Sequence, residues 1–309
     1  QRQMCIRDSL STASCSTHSV ACQSNMKTPQ ELIDALIDLS FAEDIGDGDH
    51  TTLSTIGPDA MGRQHLLVKE EGILAGVDIA RHVFERFDPS LKMTVFIEDG
   101  AHVRPGDIAF VVEGPVRSLL QTERLMLNIM QRMSGVATMT AKYQDKLKGL
   151  QCHVLDTRKT TPGMRILEKQ AVAIGGGMNH RIGLFDMILI KDNHVDFAGG
   201  IPQAVQSAKD YCKTNGKNLA IEVEVRNTDE IHQALDAGVD RIMLDNFTPE
   251  ATAEAVKLIR SINPAVEIES SGGITLDTLR AYGEAGVDFI SVGALTHSVK
   301  GLDLSFKAC

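Results

Sequence analysis

The sequence lacks the features that would mark several large classes of protein. No run approaches the ~18 consecutive apolar residues that a membrane-spanning helix needs. Basic residues are not in excess either, because 31 Lys and Arg stand against 41 Asp and Glu and give a formal net charge of −10. Binding to a phosphate backbone requires a broad basic face. We therefore expect neither a membrane nor a nucleic acid as a partner.

The six cysteines form no C-x-x-C pair, and three of them fall within the first 25 residues. This spacing argues against a zinc site or a disulfide framework and favours free thiols in a reducing cytoplasm. Three catalytic or binding motifs are also missing: H-E-x-x-H, a G-x-S-x-G elbow, and G-x-G-x-x-G after a strand. Without a nucleophilic triad, the chemistry is expected to rest on electrostatic stabilisation.

The N-terminal residues 1–25 differ from the rest of the chain, because they are rich in Ser and Thr, poor in acids and without a clean apolar period. We predict a disordered or foreign tail there and exclude it from the fold. A helix is predicted from about Pro29, with Thr28 as its cap. The Gly- and Asp-rich segment 43–52 is interpreted as a capped turn, because it lacks the residue order of a calcium loop.

Residues 61–113 are predicted to form short strands of a small α+β domain, including a hairpin with its turn at 105–107. Over about 118–148 the apolar pattern becomes helical, with a predicted break at the Ser-Gly pair 134–135. Arg124 lies on the polar side of this helix.

After residue 150, predicted strands rich in Val, Ile and Leu alternate with predicted helices, which indicates a parallel sheet. The strands are predicted at 153–156, 186–190, 219–225, 241–245, 266–270 and 289–293, and the helices at 164–174, 201–213, 228–237, 249–262 and 276–285. An open doubly wound sheet also fits this alternation. We favour a barrel because polar residues follow nearly every strand, at the end where barrel active sites form.

Six consecutive predicted strands each deliver a polar, charged or glycine position to one rim. These positions are Thr157, Arg158, Lys159, Lys191, Glu224, Asp245, Ser271, Gly272, Gly273 and Gly293. One such residue is usually a surface charge, but six strand ends in register indicate a shared site.

The charge of the predicted site is divided between two segments. Segment 156–191 carries six Lys or Arg against three Asp or Glu, whereas segment 222–245 carries seven acids against two Arg. The first segment suits a carboxylate or phosphate, which Arg and Lys bind well. In the second, Glu224 and Asp245 could hold Mg²⁺ or accept hydrogen bonds from ribose hydroxyls.

Glycine-containing segments add two further features. GGGMNHR at 175–181 places three glycines before His180 and Arg181, and glycines there let the backbone approach an anion closely or take a positive φ. We expect His180 to contact the substrate. The loops at 271–273 and Gly293 follow the last two predicted strands, where barrels commonly bind a phosphate.

Several ordered motifs resemble those of the quinolinate phosphoribosyltransferases, also called nicotinate-nucleotide pyrophosphorylases (carboxylating). The matching motifs are ERLMLNIMQRMSGVAT at 123–138, DTRKTTPGMR at 156–165, GGGMNHR at 175–181, LIKDNH at 189–194, EVEV at 222–225, MLDNF at 243–247, SSGGI at 270–274 and VGALTHS at 292–298. The resemblance runs from about Met26 to the C-terminus.

The resemblance implies an α/β fold in two domains. An α/β-sandwich N-terminal domain over 26–137 would precede an incomplete, seven-stranded α/β barrel over 138–295, and a segment over 296–309 would return to the first domain. The implied activity transfers the phosphoribosyl group of phosphoribosyl pyrophosphate (PRPP) to quinolinate with Mg²⁺. It releases pyrophosphate and CO₂ and gives nicotinate mononucleotide for NAD synthesis.

The resemblance also assigns roles to residues. Cations would meet the quinolinate carboxylates, namely Arg124, Arg158, His180, Arg181 and Lys191. Arg124 would reach the site from a partner subunit, so a homodimer is the minimal unit, within a dimer or a hexamer. Lys159 would face the donor, and Glu224 and Asp245 would hold the ribose and the metal. The catalytic candidates are therefore Lys159, Lys191, Glu224 and Asp245. The donor's 5′-phosphate would lie on Ser271, Gly272, Gly273 and Gly293.

Three alternatives remain open. Two are enzymes of the same fold, either a paralogue associated with molybdate transport or a phosphoribosyltransferase that uses nicotinate. The third is a non-catalytic barrel that binds an anion. A nicotinate enzyme has one carboxylate to bind and needs fewer cations, so the five candidate cations favour a dicarboxylate.

Overall fold

The structure, a computed structural model, describes residues 26–309, and the predicted tail at 1–25 lies outside the described residues. The helices are α1 Pro29–Ile45, α2 His50–Thr55, α3 Val77–Phe87, α4 Val116–Lys146, α5 Arg165–Ile174, α6 Asp192–Ala198, α7 Ile201–Thr214, α8 Thr228–Ala237, α9 Pro249–Ile262, α10 Leu279–Glu284 and α11 Ala294–His297. The strands are β1 Met61–Val68, β2 Gly72–Ile73, β3 Lys92–Val95, β4 His102–Val103, β5 Ile108–Pro115, β6 His153–Leu155, β7 Ile188–Ile190, β8 Ile221–Val225, β9 Arg241–Asp245, β10 Glu267–Ser271, β11 Phe289–Ser291 and β12 Leu304–Ala308.

Both N-terminal caps act as the sequence predicts. The Thr28 hydroxyl accepts from the Glu31 N–H at 3.2 Å, and the Glu31 carboxylate accepts from the Thr28 N–H at 2.7 Å, so α1 begins with a capping box. In the predicted capped turn, the Asp49 carboxylate accepts from the Thr52 N–H at 3.0 Å and begins α2.

An antiparallel sheet in the order β12-β1-β5-β3 forms the N-terminal layer. Its core includes Phe84 of α3, Phe110 of β5 and Phe306 of β12, whose ring centroids lie 6.0 to 6.3 Å apart. The C-terminal strand β12 therefore packs in the same layer as β1. The domain boundary at 137 stays a prediction, because α4 runs through it unbroken.

The hairpin predicted in the region before the barrel was wrong. The turn at 105–107 forms, since the Asp107 N–H donates to the Arg104 carbonyl at 3.1 Å, but its flanking strands do not pair. β4 pairs with β2, whereas β5 lies between β1 and β3. Helix α3, which was not predicted, lies between the first two predicted strand segments of this α+β region.

The predicted helix break at Ser134 and Gly135 was also wrong, because both residues serve close packing inside α4. The Ser134 hydroxyl accepts from the Ala75 N–H at 2.9 Å and donates to the Ala75 carbonyl at 3.1 Å. Gly135 lies against the backbone of Lys300 and Gly301, where a Cβ would collide with the Lys300 carbonyl oxygen.

The second layer is a parallel sheet in the order β6-β11-β10-β9-β8-β7. Strands β7 to β11 follow chain order, and β11 returns to pair with β6, so the sheet curls into a barrel rather than reversing its order as a doubly wound sheet does. Beside β6, a single bridge between Leu155 and Met178 takes the seventh position. Among the described residues β7 pairs only with β8, which leaves the barrel incomplete. This arrangement confirms the predicted fold class.

Most helix and strand bounds after residue 150 lie within three residues of their predictions. The short α6 and α11 and the C-terminal β12 were not predicted. Within residues 26–309, no helix is both long enough and apolar enough to cross a membrane.

Candidate active site

A cavity of about 700 Å³ opens at the carboxyl ends of the barrel strands. It brings together nearly all of the predicted site residues: Thr157, Arg158, Lys159, His180, Arg181, Lys191, Glu224, Asp245, Ser271, Gly272, Gly273 and Gly293. Arg124 is exposed on α4 and is not part of the described lining of this cavity. The predicted rim residues thus form one continuous surface, and Arg124 is the one candidate cation that lies outside it.

A buried ion pair lies between the two loops that carry the site cations Arg158 and Arg181. Lys169 of α5 and Asp156, which follows β6, are both almost fully buried. The Lys169 ammonium donates a hydrogen bond to Asp156 Oδ1. The other Asp156 oxygen accepts from the Asn179 amide at 2.6 Å, and the first also accepts from the His180 N–H at 2.9 Å. Lys169 donates in addition to the His180 carbonyl at 3.0 Å. Asp156 therefore fixes the loop that carries His180 and Arg181 beside the loop that carries Arg158.

Two of the three glycines before His180, Gly175 and Gly177, serve close packing of the loop on α4. A Cβ on Gly175 would collide with the Ala137 carbonyl oxygen of α4, and one on Gly177 would lie 2.7 Å from Thr140 Cγ2. These two glycines permit close packing of the loop on α4. Neither lines the cavity, so the close approach to an anion was wrong for both, whereas Gly176 takes the positive φ, +87°, that the sequence also allowed.

His180 lies on two buried acids. Its Nε2 is 3.0 Å from Glu222 Oε2 on β8 and 3.4 Å from Glu269 Oε2 on β10, and both carboxylates are fully buried. Its Nδ1 accepts from the Arg181 N–H at 2.8 Å. Both ring nitrogens thus face protein groups, and the ring itself borders the cavity.

The pKa values of His180 and Glu222 in this cluster lie above their ordinary values. Burial favours a neutral imidazole, but the contacts with Glu222 and Glu269 outweigh burial and raise the pKa of His180 to about 9. Burial, together with the nearby Glu269, raises the pKa of Glu222 to about 7. The Arg181 N–H at Nδ1 opposes a second ring proton, so the groups titrate as one unit. Arg241, whose Nη1 lies 3.4 Å from Glu269, supplies the remaining positive charge.

Cations and acids face each other across the cavity. Lys191, which follows β7, has its Nζ 3.2 Å from Glu224 Oε2 at the end of β8. On the cationic side, burial and the neighbouring Arg158 lower the pKa of Arg181. On the acidic side, burial raises the pKa of Asp245, while Lys191 opposes the rise. A ligand of opposite charge would stabilise the charged side chains on each side of the cavity.

Several residues at or near the site were missed by sequence reasoning. Glu269, Asn246 and His297 line the cavity, although Asn246 and His297 lie in motifs that the sequence analysis quoted. Behind the cavity, Thr296 donates from its hydroxyl to the Lys159 carbonyl at 2.8 Å. Arg132 of α4 contacts the Thr296 carbonyl. The only sequence signal for this contact behind the cavity is that Arg132 is a charged residue in a run of apolar helix positions.

The chain matches two sequence families that together cover most of its length. Residues 136–307 match the family described as quinolinate phosphoribosyl transferase, C-terminal domain, and residues 49–134 match the N-terminal domain of the same description.

Curated relatives and solved structures agree with this match. A protein of Nicotiana tabacum called quinolinate phosphoribosyltransferase [decarboxylating] 1b is 44% identical over 288 residues, which cover 88% of this chain and 81% of the relative. A probable nicotinate-nucleotide pyrophosphorylase [carboxylating] of Synechocystis is 42% identical, over 90% of this chain and 93% of the relative. The solved nicotinate-nucleotide pyrophosphorylase of Francisella tularensis superposes with a TM-score of 0.84 at 42% identity, over 92% and 98% of the two chains.

Breaking the buried Asp156–Lys169 pair should be costly. Replacing Asp156 with Asn or Lys169 with Met leaves an uncompensated buried charge, so each variant should lose about 3–5 kcal/mol of unfolding free energy. Urea denaturation measures this loss. The exposed Lys257–Glu254 pair, 3.0 Å apart, is the matched control, and Glu254→Gln should change stability by less than about 1 kcal/mol. Equal losses at the two pairs would refute the structural role of Asp156.

The His180 cluster predicts a fall in stability at alkaline pH. The folded pKa of His180 is raised from 6.5 to about 9, so its contribution is present below pH 6.5 and is lost as the pH rises to about 9. The raised pKa of Glu222 acts in the same direction at lower pH, where its contribution is present below pH 4.5 and is lost by about pH 7, so the window from pH 6.5 to 9 belongs mainly to His180. The unfolding free energy should fall by on the order of 2–3 kcal/mol across this window.

The Glu222→Gln/Glu269→Gln double variant should flatten this pH dependence, since it removes the acids that hold the proton. His232→Gln, at an exposed position of α8, should leave it intact. A wild-type chain whose unfolding free energy is level from pH 6.5 to 9 would contradict the assignment.

Proposed function

The chain belongs to the quinolinate phosphoribosyltransferase family, and we propose that it transfers the phosphoribosyl group of PRPP to the ring nitrogen of quinolinate. Loss of the 2-carboxylate as CO₂ gives nicotinate mononucleotide, the product that enters NAD synthesis. The observation that carries this proposal is the division of one cavity into a cationic and an acidic side. Such a cavity accommodates a dianionic ring beside a sugar that becomes positively charged during the reaction.

The cationic side would hold quinolinate. Arg158, Arg181 and Lys191 line it, and their charges match two adjacent carboxylates. His180 borders the same side of the cavity, with its Nε2 on the buried carboxylates of Glu222 and Glu269. A pyridine with only one carboxylate would leave at least one of these cations unpaired, which favours quinolinate over nicotinate.

The acidic side would hold the donor's ribose. As the bond between C1 of the ribose and pyrophosphate breaks, C1 gains positive charge, which Glu224 and Asp245 would stabilise. Lys159 would meet the negative charge that grows on the departing pyrophosphate. The quinolinate nitrogen then bonds to C1 and becomes cationic. That charge draws the electron pair of the breaking carbon–carboxylate bond, after which C2 takes up a proton.

Magnesium is proposed as the cofactor. Glu224 and Asp245 offer carboxylate oxygens at adjacent strand ends, and Mg²⁺ is commonly held by one or two carboxylates together with substrate phosphates. When bound, it would neutralise negative charge on the pyrophosphate. The buried His180–Glu222–Glu269 set also has the composition of a metal site, but His180 and Arg241 already balance its acids.

A homodimer is proposed as the minimal active unit, with Arg124 of one subunit completing the site of the other. Arg124 is exposed and does not line the cavity of its own chain. Near the open side of the barrel, Leu184, Phe185 and Phe197 are 72%, 53% and 93% exposed, which suits a contact with another subunit. The larger assembly, dimer or hexamer, stays a prediction.

The cytoplasmic location is likewise a prediction. Relatives from Arabidopsis thaliana and Nicotiana tabacum carry names that place them in the chloroplast and the mitochondrion.

The direct test is product release by the purified chain with quinolinate, PRPP and Mg²⁺. We expect pyrophosphate and CO₂ in equal amounts, and little turnover when nicotinate replaces quinolinate. Arg158→Ala and Lys191→Ala should each lower kcat/KM by about 30- to 1,000-fold, the effect of losing one donor that stabilises charge. Lys257→Ala, on the exposed side of α9, is the control. Wild-type kcat/KM in both site variants would refute the assignment, and no release would refute the function.

Sharing of Arg124 between subunits predicts complementation. Arg124→Ala and Lys191→Ala chains should each be nearly inactive alone. When they are co-expressed, a mixed dimer has one site with both residues intact, so about a quarter of all sites should be active. If Arg124 acts within its own chain, no mixed dimer has an intact site. Activity that stays at the level of the single variants would contradict the shared site.

A further inference from the structure

Asn246 has an unusual backbone conformation at the edge of the cavity. Its φ is +57°, and it is the only non-glycine residue with positive φ in the part of the chain that the structure describes. Asn tolerates this region better than most residues, yet the conformation still costs free energy relative to the right-handed one. A strained residue directly after Asp245, in the lining of the cavity, calls for a functional explanation.

Two hydrogen bonds connect Asn246 to both halves of the proposed donor site. Its side-chain amide donates to Asp245 Oδ2 at 2.5 Å. Its backbone N–H donates to the Ser271 carbonyl at 2.9 Å, one step beyond the last β9–β10 pair. The ribose end and the phosphate end of the proposed site are thus joined through one residue.

Gly272 fits closely against this residue. A Cβ on Gly272 would lie 2.7 Å from Asn246 Cγ and 2.8 Å from its backbone nitrogen, so the Asn246 amide occupies the space that a side chain at 272 would need. Gly272 itself has φ +102°, which favours glycine. Contact on one side and the hydrogen bond to Asp245 on the other leave the amide little freedom.

We propose that Asn246 is a positioning residue for the phosphoribosyl donor. It fixes the direction of the Asp245 carboxylate and sets its spacing from the Ser271–Gly273 loop, so that ribose and 5′-phosphate are bound at a fixed separation. The cations that would hold quinolinate lie on other strand ends, and within residues 26–309 none of them forms a hydrogen bond with Asn246. This inference rests on the proposed function only in naming PRPP as the donor.

The test compares donor and acceptor binding in two variants. Asn246→Gly keeps the positive φ without strain and removes the amide, whereas Asn246→Asp keeps the size and places an acidic oxygen beside Asp245. Calorimetry with PRPP and Mg²⁺ should show a Kd raised about tenfold or more in both, because a hydrogen bond to a charged group is lost. The Kd for quinolinate should stay within twofold of the wild type. Asn218→Asp, in an exposed loop, is the matched control and should change neither constant.

Each other outcome counts against the proposal. Wild-type PRPP affinity in Asn246→Gly would overturn it, as would equal losses for PRPP and quinolinate or a failure of the Gly variant to fold, since these would indicate a general structural role. The proposed function has a separate readout. A wild-type chain that binds PRPP but forms no product from quinolinate would refute that function and leave the Asn246 comparison valid.

Discussion

The site depends on one buried constraint, the pairing of Asp156 with Lys169 beneath the cationic side of the cavity. Two charges are costly to bury, and this pair is retained where its hydrogen bonds tie a loop of the barrel to a strand end. Asp156 accepts from Lys169, Asn179 and the His180 N–H, and these contacts determine where His180 and Arg181 lie relative to Arg158. Without these contacts, nothing would offset the repulsion between the positive charges of Arg158 and Arg181.

The same principle of fixed, opposed charges extends through the site. His180 at the cavity wall contacts two buried acids, Glu222 and Glu269, and these contacts raise the pKa of its imidazole. Across the cavity, Lys191 pairs with Glu224 and links the two sides before any ligand binds. A substrate that is anionic at one end and becomes cationic at the other replaces these internal pairings with its own. Preorganised charge of this kind is the main source of rate enhancement when no covalent nucleophile takes part.

The sequence predicted the barrel well because each strand and helix there carries a local signal. Strand 241–245 and helices 228–237 and 249–262 were predicted to the residue. It predicted less well where tertiary contacts decide the outcome. Ser134 and Gly135 read as a helix break but instead permit contact with Ala75 and Lys300. Charge counts over segments identified the two sides of the site, yet no count could show that Glu222 and Glu269 turn inward beneath His180, or that Asn246 adopts a left-handed conformation.

The central claim is that one cavity binds the aromatic dicarboxylate on its cationic side and the phosphorylated sugar on its acidic side. A crystal structure with quinolinate and an unreactive PRPP analogue tests it most directly. The account predicts that the quinolinate carboxylates contact Arg158, Arg181 and Lys191, while the 5′-phosphate lies against the Ser271–Gly273 loop. Quinolinate bound at that loop, or either ligand bound outside the cavity, would contradict it.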